Sequence, residues 1–349
     1  MVTIGDRHIG PGRPAYIVAE AGVNHDGDSD MAHRLVEAAR QSGADAVKFQ
    51  VFRADALVGA SAPTCAYQRE GPGAPDNQRE MLRRLELPIA TFSELQRHAS
   101  ELGIDFLATP FGLPELRFLV SELKVPAIKI ASTDLVNVPL LSAAARSNLP
   151  TMVSTGAATL EEVDAAVAVM RRHGAPQRLI LLHCISSYPT PLASTQLRCI
   201  TALARRFDLP TGFSDHTRET LTGALAVAAG AAVLEKHLTL NRSAAGPDHA
   251  FSLEPNQFRE YVDGIRQAER MLGDGRIGFR EEEAEVRALG RGRLVACRTI
   301  PAGTMLNAEA VMVQRPGDGI DPSHWEDVIG RTAGVEIPVN TPLAWSMIE

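Results

Sequence analysis

Gly212-Phe213-Ser214-Asp215-His216-Thr217, read together with Leu234-Glu235-Lys236-His237, decides how the rest of the chain is to be understood. Each histidine closes a short apolar run of strand character, Leu209 to Phe213 before the first and Ala231 to Leu234 before the second. Between them, Leu221 to Ala232 is small and apolar, which suits a helix packed closely on a sheet. The unit is strand, helix, strand, and each strand delivers one histidine at its C-terminal end. Ligands of parallel α/β folds sit at the carboxyl ends of the strands, so His216 and His237 can converge on one point as metal ligands. The alternative is that each is a hydrogen-bonded core or capping histidine.

Outward from this unit, Tyr16 to Thr239 repeats a short β run, a turn and a helix-length amphipathic segment. Eight strands are predicted: Tyr16 to Val23, Ala46 to Val51, Phe106 to Pro110, Ala127 to Ala131, Thr151 to Ser154, Leu179 to Cys184, Thr211 to Ser214 and Val233 to Leu238. Asp30 to Gln41 carries Met31, Leu35, Val36 and Ala39 on one helical face, and Thr159 to Arg172 opens with a capping-box pattern. Eight consecutive units over roughly 250 residues have the size and rhythm of a closed (β/α)8 TIM barrel. A doubly wound open sheet would not need eight uninterrupted units. The insertion Asp55 to Asn77, with Tyr67 and Arg69, is too polar and broken for a helix and reads as a long βα loop over the barrel mouth.

After a helix over Pro255 to Met271 the composition changes. Gly273 to Gly278 is a linker, Glu281 to Glu285 begins a short charged helix, and from Arg291 the chain holds short β runs at Leu294 to Thr299, Val311 to Val313 and Val335 to Pro338. The expected organisation is a barrel over 1–272, a connector over 273–290 and a compact β-rich domain of about sixty residues over 291–349.

The 349 residues are 45% hydrophobic and 22% charged, enough to bury a full core, and the formal charge of −7 argues against a nucleic-acid or anionic-membrane partner. Small anions are still bindable by local lysines and backbone amides. Met1 to Gly12 has no signal-peptide character, and no apolar run approaches the ~20 residues that span a bilayer. Cys65, Cys184, Cys199 and Cys297 are far apart without CxxC spacing, which fits a reducing, cytoplasmic setting and no thiolate metal site.

On a barrel, the strand ends can be read as an inventory: Glu20 with Asn24 and His25, Lys48 with Gln50, Thr109, Lys129 with Ser132, Ser154 with Thr155, Ser186 with Tyr188, Ser214 with His216, and Glu235 with His237. Lys48 and Lys129 lie inside otherwise apolar strands and must have partners there. One such lysine suggests a structural ion pair or a Schiff base. Two of them, with Thr109, Ser132, Ser154 and Ser214 in reach, favour an anion cradle for a phosphorylated, carboxylated small molecule beside a divalent metal.

These residues carry a family resemblance. Ala-Glu-Ala-Gly-Val-Asn-His-Asp-Gly (19 to 27), Val-Lys-Phe-Gln (47 to 50), Thr-Pro-Phe (109 to 111), Lys-Ile-Ala-Ser (129 to 132), His-Cys-Ile-Ser-Ser-Tyr-Pro-Thr-Pro (183 to 191), Gly-Phe-Ser-Asp-His (212 to 216), Glu-Lys-His (235 to 237) and Gly-Pro-Asp-His (246 to 249) resemble the sialic acid synthase family in collinear order. Val-Gln-Arg-Pro-Gly (313 to 317) and Ile-Gly-Arg-Thr-Ala (329 to 333) resemble its C-terminal antifreeze-like (SAF, β-clip) domain.

The resemblance implies condensation of phosphoenolpyruvate with an N-acetylated mannosamine-type sugar, assisted by Mn²⁺, with Mg²⁺ or Co²⁺ as alternatives, and release of phosphate. It matches the metal ligands to His216 and His237 and the phosphoenolpyruvate ligands to Lys48, Thr109, Lys129, Ser132, Ser154 and Ser214. The sugar ligands fall on Glu20, Gln50, Tyr188 and Asp248, and either Glu20 or Glu235 relays a proton. Ser186 stands where the family carries Asn, and Thr133-Asp134 where it carries Gly-Glu, so that the group facing the enolpyruvate and the carboxylate facing the sugar are both shortened. Ser-Ser-Tyr-Pro-Thr-Pro is also similar to legionaminic acid, pseudaminic acid and spore-coat polysaccharide synthases, which opens a 2,4-diacetamido-trideoxyhexose as the acceptor.

In the tail the family's Arg-Arg-Ser is replaced by Arg291-Gly292-Arg293, while Arg315 matches an arginine that enters the partner subunit's barrel, implying a domain-swapped homodimer. The competing expectations are a phosphoenolpyruvate-dependent synthase acting on a phosphorylated aldose, a Schiff-base aldolase using Lys48 or Lys129, and a non-catalytic carbohydrate- or ice-binding protein working through residues 291–349.

Overall fold

The computed structural model describes residues 1–64, 77–174, 176–315 and 317–349; Cys65, Tyr67 and Arg69 of the expected mouth loop lie outside the described residues. Two compact units are present, Met1–Asp274 and Gly275–Glu349.

The first unit is a closed parallel barrel of eight strands: β3 (Tyr16–Gly22), β4 (Ala46–Val51), β5 (Asp105–Pro110), β6 (Ile128–Ile130), β7 (Thr151–Ser154), β8 (Leu179–Cys184), β9 (Thr211–Asp215) and β10 (Val233–His237), with β10 closing on β3. Helices follow the strands, as expected for this fold. The helix Ser29–Gln41 starts at Asp28, whose side chain accepts from the amides of Asp30 and Met31. The helix Leu160–His173 starts at the Thr159–Glu162 capping box that the sequence signals.

Strand alternation builds two cores. Outward residues such as Ile17, Val47, Phe49, Phe106 and Leu234 pack on Leu35, Leu95, Phe258 and Tyr261 of the helices. Inward residues Tyr16, Val18, Ala46, Leu107, Met152, Ile180, Leu182 and Val233 fill the N-terminal half of the barrel together with Val2, Ile4 and Ile9. Those last three come from an antiparallel hairpin, β1 (Val2–Ile4) and β2 (Arg7–Ile9), that the sequence reading did not foresee. Strands of three residues are too short to show a period, and their apolar positions are seen only once they plug the barrel floor.

One turn of helix, Ala54–Leu57, and the helix Gln78–Leu85 flank the long insertion. The expectation of no helix from Asp55 is therefore corrected over its first three residues, and Asn77 caps the second helix by accepting from the Glu80 amide at 3.1 Å. The helix expected over Leu221 to Ala232 ends at Ala228.

The second unit pairs β11 (Arg293–Ala296) with β12 (Val311–Gln314) in antiparallel fashion around Leu294, Ile300, Leu306, Val328, Ile337 and Leu343. The expected run at Val335 to Pro338 contributes a single bridge, Ile337 with Ile300. Among the described residues, no helix is long and apolar enough to cross a membrane.

Candidate active site

The polarity of the barrel lumen changes along its axis. One pleat above the apolar layer, the same inward positions carry Glu20, Lys48, Thr109, Lys129, Ser154, Cys184, Ser214 and Glu235. Because side chains alternate with period two, Val18 and Glu20, or Val233, Glu235 and His237, face the same lumen. Above them opens a cavity of about 480 Å³ at the C-terminal strand ends.

Glu235 is the electrostatic centre. Its carboxylate lies 3.6 Å from the Lys48 ammonium and 3.4 Å from that of Lys129, and it accepts a 2.7 Å hydrogen bond from the Ser214 hydroxyl. Lys48 also pairs with Glu20 and donates to Thr109 Oγ1 at 3.0 Å, while Gln50 Nε2 donates to Glu20 Oε1 at 3.3 Å. All the charged members are almost fully buried. Burial pushes Glu235 up, but Lys129 and Lys48 overrule it and hold the carboxyl well below the usual range. Burial also acts on Glu20 and there prevails over the pull of Lys48, leaving that carboxyl raised. Lys48 is raised in turn, since Glu20 and Glu235 outweigh its desolvation.

His216 and His237 stand beside this cluster with ring centroids 5.6 Å apart. The Ile185 carbonyl lies 2.8 Å from His216 Nδ1, which fixes the proton there and leaves Nε2 as a lone pair. Burial lowers His216 to about 4 and holds His237 well below the ordinary histidine value, which favours neutral imidazoles. His237 Nδ1 is buried without a hydrogen-bond partner, and Asp248 Oδ2 stands 3.8 Å away. Two neutral imidazoles, one with an orphaned nitrogen, fit a divalent ion whose other positions are filled by water and substrate. Burial, followed by the charge of Glu20, raises Asp248 to about 7.

Gly22 completes the rim. It follows a register shift in β3 with φ of 54°, and an added Cβ would meet the Glu20 carboxylate at 3.2 Å, Gln50 at 3.4 Å and Asp248 at 3.5 Å.

The cavity is lined by Glu20, Lys48, Gln50, Thr109, Lys129, Ser132, Asp134, Ser154, Tyr188, Ser214, His216, Glu235, His237 and Asp248. Ser186 is not part of the lining; it reaches the site through a 3.0 Å contact with the Ser132 hydroxyl. Asp134 accepts from Asn137 at 2.9 Å, and the Ser154 hydroxyl is buried without a partner. Arg315 belongs to the C-terminal unit, where it follows β12 and is exposed. Asn24, His25 and Thr155 serve the scaffold instead: Asn24 donates to Leu238 and Ser252, His25 accepts from the Gly27 amide, and Thr155 donates to the Leu182 carbonyl.

Sequence reasoning missed two contributors. Cys184 lines the cavity, as its place one pleat above Leu182 could have indicated. A second wall is the apolar cluster Val23, Phe52, Met81, Leu85 and Phe111 with Leu57 and Leu82, beside which Gln78 also lines the cavity. Three of its seven residues, Met81, Leu82 and Leu85, come from the helix Gln78–Leu85, which no strand pattern announces.

The profile of the NeuB family matches residues 35–277 and that of the SAF domain residues 293–349. The N,N'-diacetyllegionaminic acid synthase of Legionella pneumophila subsp. pneumophila is 39% identical over 343 residues, covering 97% of this chain and 96% of that protein. A pseudaminic acid synthase of Campylobacter jejuni is 33% identical over 325 residues, 93% and 94% of the two chains. The crystal structure of N-acetylneuraminic acid (sialic acid) synthetase from Leptospira borgpetersenii serovar Hardjo-bovis superposes with a TM-score of 0.73 at 34% identity, over 81% of this chain and 94% of that one. Barrel, lumen and tail thus agree with the sequence matches, and the chain belongs to the NeuB family, with a SAF domain at its C-terminal end.

Proposed function

We propose that this protein condenses phosphoenolpyruvate with an N-acylated amino sugar, giving a nine-carbon 2-keto-3-deoxy sugar acid and phosphate. The observation that carries the reading is the convergence of two buried lysines, Lys48 and Lys129, on Glu235 beside two neutral histidines in one cavity. A polyanion entering there meets two cations, with hydroxyls of Ser132, Ser154 and Ser214 around them. The unpartnered Ser154 hydroxyl supports a ligand oxygen at that point.

His216 and His237 would hold a divalent ion, Mn²⁺ by preference, and when bound it supplies Lewis acidity toward the sugar's carbonyl. The chain's own groups do the rest. Lys48, Lys129 and Thr109 fix the phosphate and carboxylate so that the enol carbon C3 is presented to the aldehyde, which is a positioning effect. A C–C bond forms there, water adds to C2, and cleavage of the C2–O bond expels phosphate. Glu235, held ionised, stabilises positive charge at C2. Glu20 and Asp248, both raised, are the carboxyls able to hand a proton to the aldehyde oxygen.

N-acetylmannosamine is the simplest acceptor. The apolar wall of Val23, Phe52, Met81, Leu85 and Phe111 favours a second reading, a 2,4-diacetamido-2,4,6-trideoxyhexose, because a C6 methyl and a second acetamido methyl bury well where a hydroxymethyl would leave its hydroxyl unpaired. The relative named as a legionaminic acid synthase points the same way. Phosphate release with Mn²⁺ and each sugar in turn tests both: release with one sugar, abolished by EDTA, is expected. No release with any of them, from folded metal-loaded protein, overturns the reading in favour of a non-catalytic carbohydrate-binding protein.

Two further elements belong to the same proposal. Arg315 reaches the cavity of a second copy, so that the working unit is a homodimer; an inactive Arg315→Ala protein that still dimerises supports this, and full activity overturns it. Residence is cytoplasmic, in keeping with Cys184, Cys199 and Cys297 as free thiols.

A further inference from the structure

Asp215 and Lys236 are the middle residues of the two stretches that carry the histidines, and no chemistry described so far uses them. On β9 and at the residue that follows it, Ser214 and His216 face the lumen, so Asp215 points outward; on β10, Glu235 and His237 face the lumen, so Lys236 points outward too. The register sets Asp215 directly opposite Lys236 and Ser214 opposite Glu235. The two strands are therefore laced on both faces, by the 2.7 Å Ser214–Glu235 hydrogen bond inside and a 2.9 Å Lys236–Asp215 ion pair outside.

The lysine does more than neutralise an aspartate. Its ammonium also donates to the Thr217 carbonyl at 2.6 Å and to Thr217 Oγ1 at 3.1 Å, which commits all three of its hydrogens. Asp215 accepts from the Thr217 amide at 2.9 Å and from the Thr222 hydroxyl. From the strand of His237, Lys236 thus grips the chain on either side of His216. The cluster is dry: Lys236 and Asp215 are each 1% exposed, and the Tyr261 ring lies over the ammonium at 5.4 Å. Gly223 lets the covering helix approach, since any Cβ there would strike the Tyr261 ring at 2.6 Å.

A dry ion pair is no better for stability than apolar side chains of equal volume, so stability alone does not account for it. Direction does, because hydrogen bonds fix backbone position where apolar packing only fills space. We infer that Asp215 and Lys236 are positioning residues that set the separation of the His216 and His237 imidazoles for a divalent ion. The inference rests on the metal reading proposed above.

The test is Mn²⁺ binding to metal-stripped protein, followed by the electron paramagnetic resonance of the free ion, with folding checked by circular dichroism. The variant Asp215→Asn/Lys236→Met removes both charges and strands neither. Its Mn²⁺ dissociation constant is expected to rise about tenfold or more, the usual effect of losing groups that orient metal ligands, while that for phosphoenolpyruvate stays within about twofold. Thr217→Val, which removes one acceptor of Lys236, should give a rise of roughly a few-fold and keeps the test decisive if the double variant does not fold. Unchanged Mn²⁺ affinity in a folded variant overturns this inference and leaves the proposed function standing. Absence of binding by the unmodified protein, or unchanged binding in His237→Ala, overturns the metal reading and this inference with it.

Discussion

His216 and His237 meet edge to face, with ring centroids 5.6 Å apart, at the ends of two strands that are neighbours in the barrel and separated in sequence by a helix. Neither ring has an anionic partner within hydrogen-bonding distance among the described residues, which suits a cation-binding pair. EDTA is expected to abolish phosphate release, with recovery on adding Mn²⁺, and His237→Ala should lower kcat/KM by about a hundredfold or more. A coupled phosphate assay reads both; activity indifferent to chelation would sink the metal role.

Lys48 sits between two carboxylates, so its removal leaves Glu20 without its ion-pair partner and Glu235 with Lys129 alone in a buried layer. Lys48→Met is expected to destabilise the barrel by about 3–5 kcal/mol in urea unfolding, because an uncompensated buried charge costs more than the pair is worth. A loss below about 1 kcal/mol would mean that the lumen is far wetter than its burial indicates.

Acid sensitivity should trace in part to His25. It is 1% exposed, and burial, against the pull of Asp26 and Asp28, lowers it to about 4 from an unfolded value near 6.5. The folded state then binds fewer protons than the unfolded one, so the stabilisation is whole above about pH 6.5, declines as pH falls, and is gone by about pH 4. The size is on the order of 3 kcal/mol. Thermal melts between pH 7 and 4 should fall more steeply for the unmodified protein than for His25→Gln, and parallel curves would rule this out.

Ile4 is fully buried in the barrel floor although it belongs to a three-residue strand. Ile4→Ala should cost about 2–5 kcal/mol, as for any large-to-small change in a core, without altering the mouth residues. Urea unfolding together with a KM for phosphoenolpyruvate separates the two effects; a neutral substitution would mean that the hairpin does not seal the barrel.

The apolar wall of the cavity gives a specificity prediction. Met81→Ser places a hydroxyl where the cavity is apolar and should reduce the preference for a 6-deoxy over a 6-hydroxy acceptor by about tenfold in kcat/KM, the usual worth of a methyl group in a matched pocket. An unchanged ratio would place the sugar's C6 elsewhere.

Most of the barrel was legible because its strands are apolar on both faces and punctuated by turns: Ala46–Val51, Thr151–Ser154 and Leu179–Cys184 fall on their expected limits. The polar strand ends were legible for the same reason, since a lysine inside Ala-Val-Lys-Phe-Gln or Ala-Ile-Lys-Ile-Ala breaks an otherwise apolar run. Which partner each lysine takes was not legible. Glu235 lies 187 positions beyond Lys48 and 106 beyond Lys129 (235 − 48 and 235 − 129), and only barrel closure brings the three together.

By itself, then, the sequence determined the order of strands and helices, the capping of Leu160–His173 and the identity of the inward-facing polar groups, all consequences of local period and turn chemistry. Tertiary structure alone decided that Val2, Ile4 and Ile9 plug the floor, that Glu235 unites two lysines while Lys236 faces away to brace the strands, and that Met81 and Leu85 wall the cavity. The reason is geometric. Periodicity tells which residues share a face, but only the closing of β10 on β3 and the shared register of neighbouring strands tell which faces meet.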